Sequence, residues 1–337
     1  MIQRFVHTAS VLRLVASATL GLALAGCITV DGPFGGGGDN ALQEAKISGH
    51  GADKILWLPI TGFISSSPSS HAFGLVQQQS TLTDVTRTLD KAEQDTHIKA
   101  LVLRIDSPGG TVAASDEIYD RIQRYHQTTG VPVIASFGGV AASGGYYIAM
   151  SAQQIIAEPT TITGSIGVIL VDINASGLMN KIGLTNQTIT SGPHKDIMSP
   201  LRPPKPDEAA IVQRVVDSLY SRFVSIVEAN RPTLDRSQIG MITDGRIFAA
   251  DDAKQLGLVD AIGHQPDIVA AARDAAGVQQ ATVVRYYQGR TAPTTLAAAA
   301  ATTAATPGAD MSWLGALGQV SSLGGTQPLY FWRGSAR

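Results

Sequence analysis

The residues best placed to do chemistry are a serine, a lysine and two pairs of glycines. Ser143 lies in Gly138-Gly139-Val140-Ala141-Ala142-Ser143-Gly144-Gly145-Tyr146-Tyr147, a strand end followed by small residues that open an apolar helix. A serine at such a junction is presented to a partner, and the adjacent Gly144 N–H is placed to donate to a developing oxyanion. The bland alternative is a serine that caps the helix. Upstream, Arg104-Ile105-Asp106-Ser107-Pro108-Gly109-Gly110 reads as a strand that stops at Pro-Gly-Gly ahead of a helix. Gly109 and Gly110 let backbone pass close to a bound carbonyl, and an exposed N–H there is a further oxyanion donor; a plain turn is the competing reading.

A serine hydroxyl is a weak nucleophile and needs a base within reach. Of the seven histidines, His7 falls in the amino-terminal apolar segment and His50 in a linker, while His71, His97, His126 and His264 sit in ordinary loop or helix-surface contexts. Only His194 keeps suggestive company, in Ser191-Gly192-Pro193-His194-Lys195-Asp196-Ile197-Met198-Ser199-Pro200. Lys195 beside it is the better candidate, because an amine kept neutral by burial or nearby positive charge can take the serine proton. Without that burial, Lys195 is a solvated surface lysine.

The elements that must position these residues alternate between strand and helix. Lys54 to Ile60 reads as a buried strand, Leu82, Val85, Leu89 and Ala92 recur at helical spacing, and Ala100 to Ile105 is a second strand. A helix carrying Ile118, Ile122 and Tyr125 and a strand at Val131 to Phe137 follow, which implies parallel pairing through crossovers. Ile155 to Ala157, Ser165 to Ile173 and Leu184 to Ser191 read as further strands. Asp207 to Asn230 is the longest helix, with Ile211, Val215, Leu219, Phe223 and Ile226 on one face and Pro206 near its start. Ala253, Leu256 and Val259 can pack a last helix and strand. Beyond about Gln288 an Ala/Thr-rich run has too little pattern for a core element. The apolar Leu329-Tyr330-Phe331-Trp332 after it has three possible destinations: the domain, a neighbour or lipid.

The chain has 337 residues and enough apolar content for a substantial core, and its net charge of −2 offers no basic surface for a nucleic acid. Its 35 glycines suit tight turns in an α/β architecture. The single cysteine, Cys27, excludes an internal disulfide and a cysteine-based metal cluster. Arg4 and Arg13 precede the uncharged run Leu14 to Gly26, which is shorter than a comfortable membrane span and reads as an export signal. It ends in Leu24-Ala25-Gly26-Cys27, which resembles the lipobox of bacterial lipoproteins and makes Cys27 a lipid attachment point; ordinary cleavage among Ala23 to Gly26 is the alternative. Ile28, where many inner-membrane lipoproteins carry Asp, favours outer-membrane over inner-membrane delivery. The expected organisation is a signal over 1–26, an anchor and Gly-rich tether over 27–52, a catalytic domain over 53–288 and a tail over 289–337.

Taken together, the ordered motifs resemble the signal peptide peptidases of the Ser-Lys type, which share the Clp protease and crotonase fold of repeated β-β-α units. The resemblance rests on Asp106 to Gly110, Ala142 to Tyr147, Thr163-Gly164-Ser165-Ile166-Gly167-Val168, Gly192 through Lys195-Asp196 to Pro200, Asp244-Gly245-Arg246 and Gly257-Leu258-Val259-Asp260. It implies Ser143 as nucleophile, Lys195 as base, the Gly110 and Gly144 amides as oxyanion donors and Ser165 as the hydroxyl that orients the lysine. It implies peptide hydrolysis through an acyl-enzyme without metal or nucleotide, on cleaved signal peptides or envelope polypeptides, and the chain has neither a Walker loop nor an H-E-x-x-H pair. It further implies a homo-oligomeric ring in which one subunit's lysine can complete the next subunit's serine site. With the export signal, that puts the catalytic domain in the periplasm of a bacterial envelope. Pocket walls come from distant segments, so the side-chain expectation is only a tolerance for small or apolar residues. Two rivals stand beside this reading: an acyl-CoA enzyme of the crotonase type, disfavoured by the export signal, and a non-catalytic ring-forming scaffold, disfavoured by the presence of both Ser143 and Lys195.

Overall fold

The structure, a computed structural model, describes residues 41–71, 76–289, 291–300 and 327–332. The export signal, Cys27 and the first part of the tether lie outside the described residues. In chain order the elements are β1 (Gln43–Gly49), β2 (Lys54–Ile64), the hairpin β3 (Ser69–His71) and β4 (Val76–Gln78), α1 (Thr81–Ala92), β5 (Ile98–Thr111), α2 (Val112–Thr129), β6 (Val133–Ala142), α3 (Gly144–Ala149), β7 (Gln154–Ala157) and β8 (Ile162–Gly164). Then come α4 (Ser176–Lys181), α5 (Glu208–Asn230), α6 (Ile239–Ile242), β9 (Ile247–Ala249), α7 (Ala250–Gln255), β10 (Ala261–Ile262), α8 (Gln265–Ala276), β11 (Thr282–Tyr287), α9 (Leu296–Ala300) and β12 (Leu329–Phe331).

The main sheet runs β1-β11-β2-β5-β6-β7-β10, parallel throughout except where β1 meets β11. The chain therefore enters the sheet ahead of Asp53, at Gln43. The central strands are apolar runs because both faces are covered. Leu56, Leu58, Leu101, Leu103, Ala135 and Phe137 face a core shared with α1, α2 and α3, whereas Ile55, Trp57, Val102, Ile134 and Ile156 face Ile268 and Ala272 of α8 and Ala299 of α9. Alternation along each strand thus divides the core into two layers.

The strand expected to end at Pro-Gly-Gly continues to Thr111. Its register slips between Ile105 and Ser107, and the final residues pair with β12 instead of β6. β6 behaves alike: Ile134 to Phe137 pair with β7, and Val140 to Ala142 pair with β8. Each long strand serves two sets of neighbours, so the functional motifs sit on the far halves, where the strands change partners.

Two expected strands are absent. Between Ser165 and Ile173 only Ile169 bridges, to Leu329, and Leu184 to Ser191 is exposed irregular chain. Their β-branched residues suit a strand, but no described segment offers the second stretch a ladder of main-chain partners. On α5, Phe223 and Val227 are buried while Val215 of the predicted apolar face is 48% exposed.

The end of α5 is tied to the body by Arg231. Its guanidinium grips Asp260 with two bonds of 2.9 and 2.7 Å and donates to the Gly257 carbonyl at 2.9 Å, while Asp260 accepts the Ile155 N–H at 2.7 Å. The planar fork matches a carboxylate held in place by backbone, which a lysine would not reproduce. Replacing Arg231 by Ala is expected to cost about 2–3 kcal/mol of unfolding free energy, less than a fully buried pair because Asp260 is partly exposed. Urea unfolding of Arg231→Ala measures this; a loss below about 0.5 kcal/mol, the scatter of ordinary surface substitutions, would show that the clamp contributes little.

Candidate active site

Ser143 joins β6 to α3 at φ 53° and ψ −114°, a conformation that costs a non-glycine residue about 1–3 kcal/mol. Two backbone bonds hold it there, its N–H donating to the Gly164 carbonyl and its own carbonyl accepting from the Tyr147 N–H, both at 2.8 Å. Ser143 stands at the N-cap of α3, yet its side chain makes no capping bond. Its Oγ is buried without a hydrogen-bond partner. A hydroxyl strained into place, buried and left unbonded is the arrangement a nucleophile needs and a cap does not.

The expected donors converge on the same place. Ser107 sets the turn: its Oγ donates to the Gly62 carbonyl at 2.6 Å and accepts the Gly109 N–H at 3.0 Å. Gly109 adopts φ +107°, and a Cβ built on it would lie 2.8 Å from the Gly144 nitrogen and 1.9 Å from the Tyr330 oxygen. A Cβ on Gly110 would come within 1.9 Å of the Ile64 oxygen. A Cβ on Gly144 would lie 2.5 Å from the Ser115 Oγ and 3.1 Å from the Gly110 nitrogen. The ends of β5 and β6 therefore touch backbone to backbone, which brings the Gly110 and Gly144 amides to one point beside Ser143. Small residues are required there for a stated geometric reason, not for flexibility.

Ser165 also adopts a positive φ, 51°, and is buried with its N–H donating to the Arg246 carbonyl at 2.7 Å. Among the described residues the non-glycines with positive φ are Ser143, Ser165 and Met198, and all three fall in the motifs singled out from the sequence. The first two meet through the neighbouring Gly164, whose carbonyl holds the Ser143 amide.

Lys195 is not brought to Ser143 within the chain. It is exposed, on an irregular segment between α4 and α5. His194 is also exposed and lies 3.6 Å from Asp207 through Nε2. The segment is nevertheless fixed. Arg202 binds Asp196 at 2.6 and 2.9 Å and Glu208 at 2.9 and 2.5 Å, and Lys205 adds a 3.4 Å contact to Asp196. Those bonds to Arg202 hold the Asp196 carboxyl well below the usual carboxylate range and that of Glu208 down to about 2.

An aromatic cluster that no sequence motif marks borders the site. Tyr147, one helical turn after Ser143, lies 5.0 Å from the Phe223 ring and stacks at 4.9 Å on Tyr330. Its hydroxyl donates to Asp116 at 2.5 Å, and Arg222 binds the same carboxylate at 2.7 Å. The available signals were the paired Tyr146-Tyr147 after the serine, Phe223 on the predicted face of α5 and the aromatic run at 330–332. Nothing in their spacing joined them.

Comparison with known proteins points to one family. Residues 126–279 match the model of peptidase family S49, and residues 73–162 match that of Clp protease. A putative signal peptide peptidase SppA of Enterococcus faecium is 35% identical over 252 residues, which cover 74% of this chain and 72% of that one. A putative protease of Synechocystis is 42% identical over 214 residues, covering 64% of this chain and 71% of that one. Protease 4 of Salmonella typhi is 37% identical over 198 residues, covering 58% of this chain and only 31% of the other, so it is a much longer protein. With motifs, bent-strand α/β fold and relatives in agreement, the chain belongs to the signal peptide peptidases, the serine peptidases of family S49.

Proposed function

We propose that the chain is a Ser-Lys endopeptidase in which Ser143 attacks a peptide carbonyl, the Gly110 and Gly144 amides bind the oxyanion, and Lys195 of a neighbouring copy serves as base. The observation that carries this reading is the strained, buried and unbonded Ser143 hydroxyl beside two converging backbone amides. The lysine amine takes the serine proton as the Oγ–C bond forms and gives it to the leaving nitrogen as the peptide bond breaks. Water then adds to the ester and restores the serine. Ser165 orients the amine.

Supply of the lysine by a second copy is favoured by the character of the segment that carries it. Ile173 and Leu178 at α4 and Ile182 and Ile189 in the segment after it are exposed, Ile189 to 97%, and isolated chains rarely leave so many large apolar side chains uncovered in one stretch. Burial of this stretch against another copy would both remove those side chains from water and desolvate the amine, which a base requires. An assembled ring follows from this arrangement. Cys27 as a lipid anchor would hold the ring at the periplasmic face of a bacterial membrane, the outer one by the residue after the cysteine. No helix among the described residues is long and apolar enough to cross a membrane. Signal peptides left after cleavage and envelope polypeptides are the substrates this placement offers.

Ser143→Ala and Lys195→Ala are each expected to lower kcat/KM on fluorogenic peptides by at least about 10³-fold, with His194→Ala within about threefold of wild type. Mixing the two inactive variants under conditions of subunit exchange should restore cleavage, because a site with an intact serine then meets an intact lysine from another copy. Cleavage that survives Ser143→Ala discards the mechanism; loss confined to His194→Ala moves the base to histidine; no recovery on mixing places the lysine in the same chain.

The Arg202 clamp should be needed for that lysine. Because the Glu208 carboxyl titrates at about 2 when bound and near 4.5 when free, its contribution is complete above about pH 4.5 and disappears as pH falls toward 2. Limited proteolysis by pepsin should accordingly leave 193–205 intact at pH 5 and cut it increasingly below pH 4. Arg202→Ala should be cut there at pH 5 already; equal protection in the variant and wild type would show that the clamp does not order the segment.

A further inference from the structure

The strand that leads into Ser165 has β9 as its antiparallel neighbour. Ile162, Thr163 and Gly164 pair with Ala249, Phe248 and Ile247, and the Ser165 N–H, donating to the Arg246 carbonyl at 2.7 Å, carries the ladder one residue further. Arg246 therefore stands directly across from Ser165, and hydrogen-bonded partners of this kind hold their Cα atoms about 5.5 Å apart. The two chains stay together beyond that pair, since a Cβ built on Gly167 would lie 3.5 Å from the Gly245 Cα. Two backbone bonds thus lead from Ser143 to Arg246: the Ser143 N–H to the Gly164 carbonyl at 2.8 Å, then the Ser165 N–H to Arg246.

Arg246 is half exposed, and its guanidinium is turned back onto Asp244 by bonds of 2.9 and 3.0 Å from Nε and 2.6 Å from Nη2. Asp244 also accepts the Arg246 N–H at 3.1 Å. The bound guanidinium holds the Asp244 carboxyl below the usual carboxylate range, so both partners stay charged wherever an amine titrates. The other charges around the serine half are paired or face solvent. β6, β8 and α3 carry none. On β5, Arg104 pairs with Glu158 at 2.8 Å and Asp106 accepts the Val140 N–H at 3.0 Å; between α2 and α5, Asp116 and Arg222 pair at 2.7 Å. Asp251, Asp252 and Lys254 of α7 are exposed. On the lysine's own segment Asp196 is bound by Arg202 and Lys205, and His194 lies 3.6 Å from Asp207.

We infer that Arg246 is a positioning residue for the base: its guanidinium borders the place where the amine oriented by Ser165 must stand and keeps that amine neutral by like-charge repulsion, while Asp244 fixes the guanidinium and moderates its effect. The inference rests on the catalytic reading above and adds to it the source of the positive charge that a neutral lysine needs. Because Arg246 belongs to the serine half and Lys195 to the arriving segment, the amine becomes a base only on assembly.

Two readouts separate this inference from the catalytic reading. On full chains, kcat/KM for fluorogenic peptides is expected to have an acid limb that Arg246→Gln moves up by about one pH unit and Asp244→Asn moves down by about half a unit, with Arg246→Lys leaving the limb in place. At a pH on that limb Arg246→Gln should therefore lower kcat/KM by about tenfold, and raising the pH should recover it. On Ser143→Ala chains carrying the same changes, the pH at which Lys195 is half-acetylated in competitive labelling with acetic anhydride, read by mass spectrometry, should move in the same directions. A merely structural role lowers activity at every pH and cannot produce shifts of opposite sign, and Asp244→Asn still tests the sign should Arg246→Gln misfold. Opposite shifts in the labelling with no cleavage by any chain would sustain this inference and sink the catalytic reading. An acid limb that neither variant moves, or labelling of Lys195 indifferent to both, would overturn the inference, and the catalytic reading then stands or falls on cleavage alone.

Discussion

At the ends of β5 and β6 two backbones approach so closely that no side chain fits between them, and the rest of the site is built around that contact. The Gly109-Gly110 turn and the Ser143-Gly144 junction can meet only if β5 and β6 part from each other at their ends and if Gly109, Gly110 and Gly144 lack a Cβ. The parting comes from register slips at Ile105 and from the switch of partners along β6. The two-layered core beneath them, packed on both faces of the parallel sheet, makes the bent ends rigid enough to hold Ser143 in a conformation that serine avoids. Strain at one residue is tolerated because backbone bonds fix it on both sides, its N–H to the Gly164 carbonyl and its carbonyl to the Tyr147 N–H in the first turn of α3.

The same contact sets what can be bound. Where β5 parts from β6, its edge from Gly109 to Thr111 pairs with the antiparallel β12, and Ile169 borders that strand on the other side. Strand addition satisfies a peptide's backbone without regard to its sequence, so selectivity has to come from side-chain cavities. Beside the bent end Tyr147 of α3 and Phe223 of α5 pack around Tyr330, and the Arg231–Asp260 clamp at the far end of α5 fixes that helix to the body of the domain. Energetics of the clamp and packing of the aromatic cluster are in this way linked through one helix.

The arm between α4 and α5 follows a different logic. It carries few buried residues and a row of exposed apolar ones, and its order derives from an ion-pair cluster centred on Arg202. Charged clamps of this kind fix a segment's shape without burying its apolar side chains, which leaves them free to be covered by another surface. Division of the site between a rigid serine half and a projecting lysine half makes catalysis conditional on assembly in the reading proposed above.

Much of this was legible in the residues alone. The apolar runs at Lys54 to Ile60 and Ala100 to Ile105 and the helical spacing over 81–92 identify a covered parallel sheet, because burial on both faces leaves that pattern. The Gly-rich surroundings of Ser143 and Gly110 mark backbone contact for the same local reason. The segments 165–173 and 184–191 misled, since a run of β-branched residues records a preference for strand and not the presence of a partner. Distance in the chain hid the rest: Tyr147, Phe223 and Tyr330 form one aromatic cluster although Tyr330 lies 183 residues after Tyr147. Residue type and local spacing, then, determined which groups could do chemistry and which elements carry them, because those depend on neighbours in sequence. Which amides converge, which aromatic rings pack together and whether the lysine reaches the serine were decided only by tertiary structure, because each depends on contacts between segments whose separation no local pattern encodes.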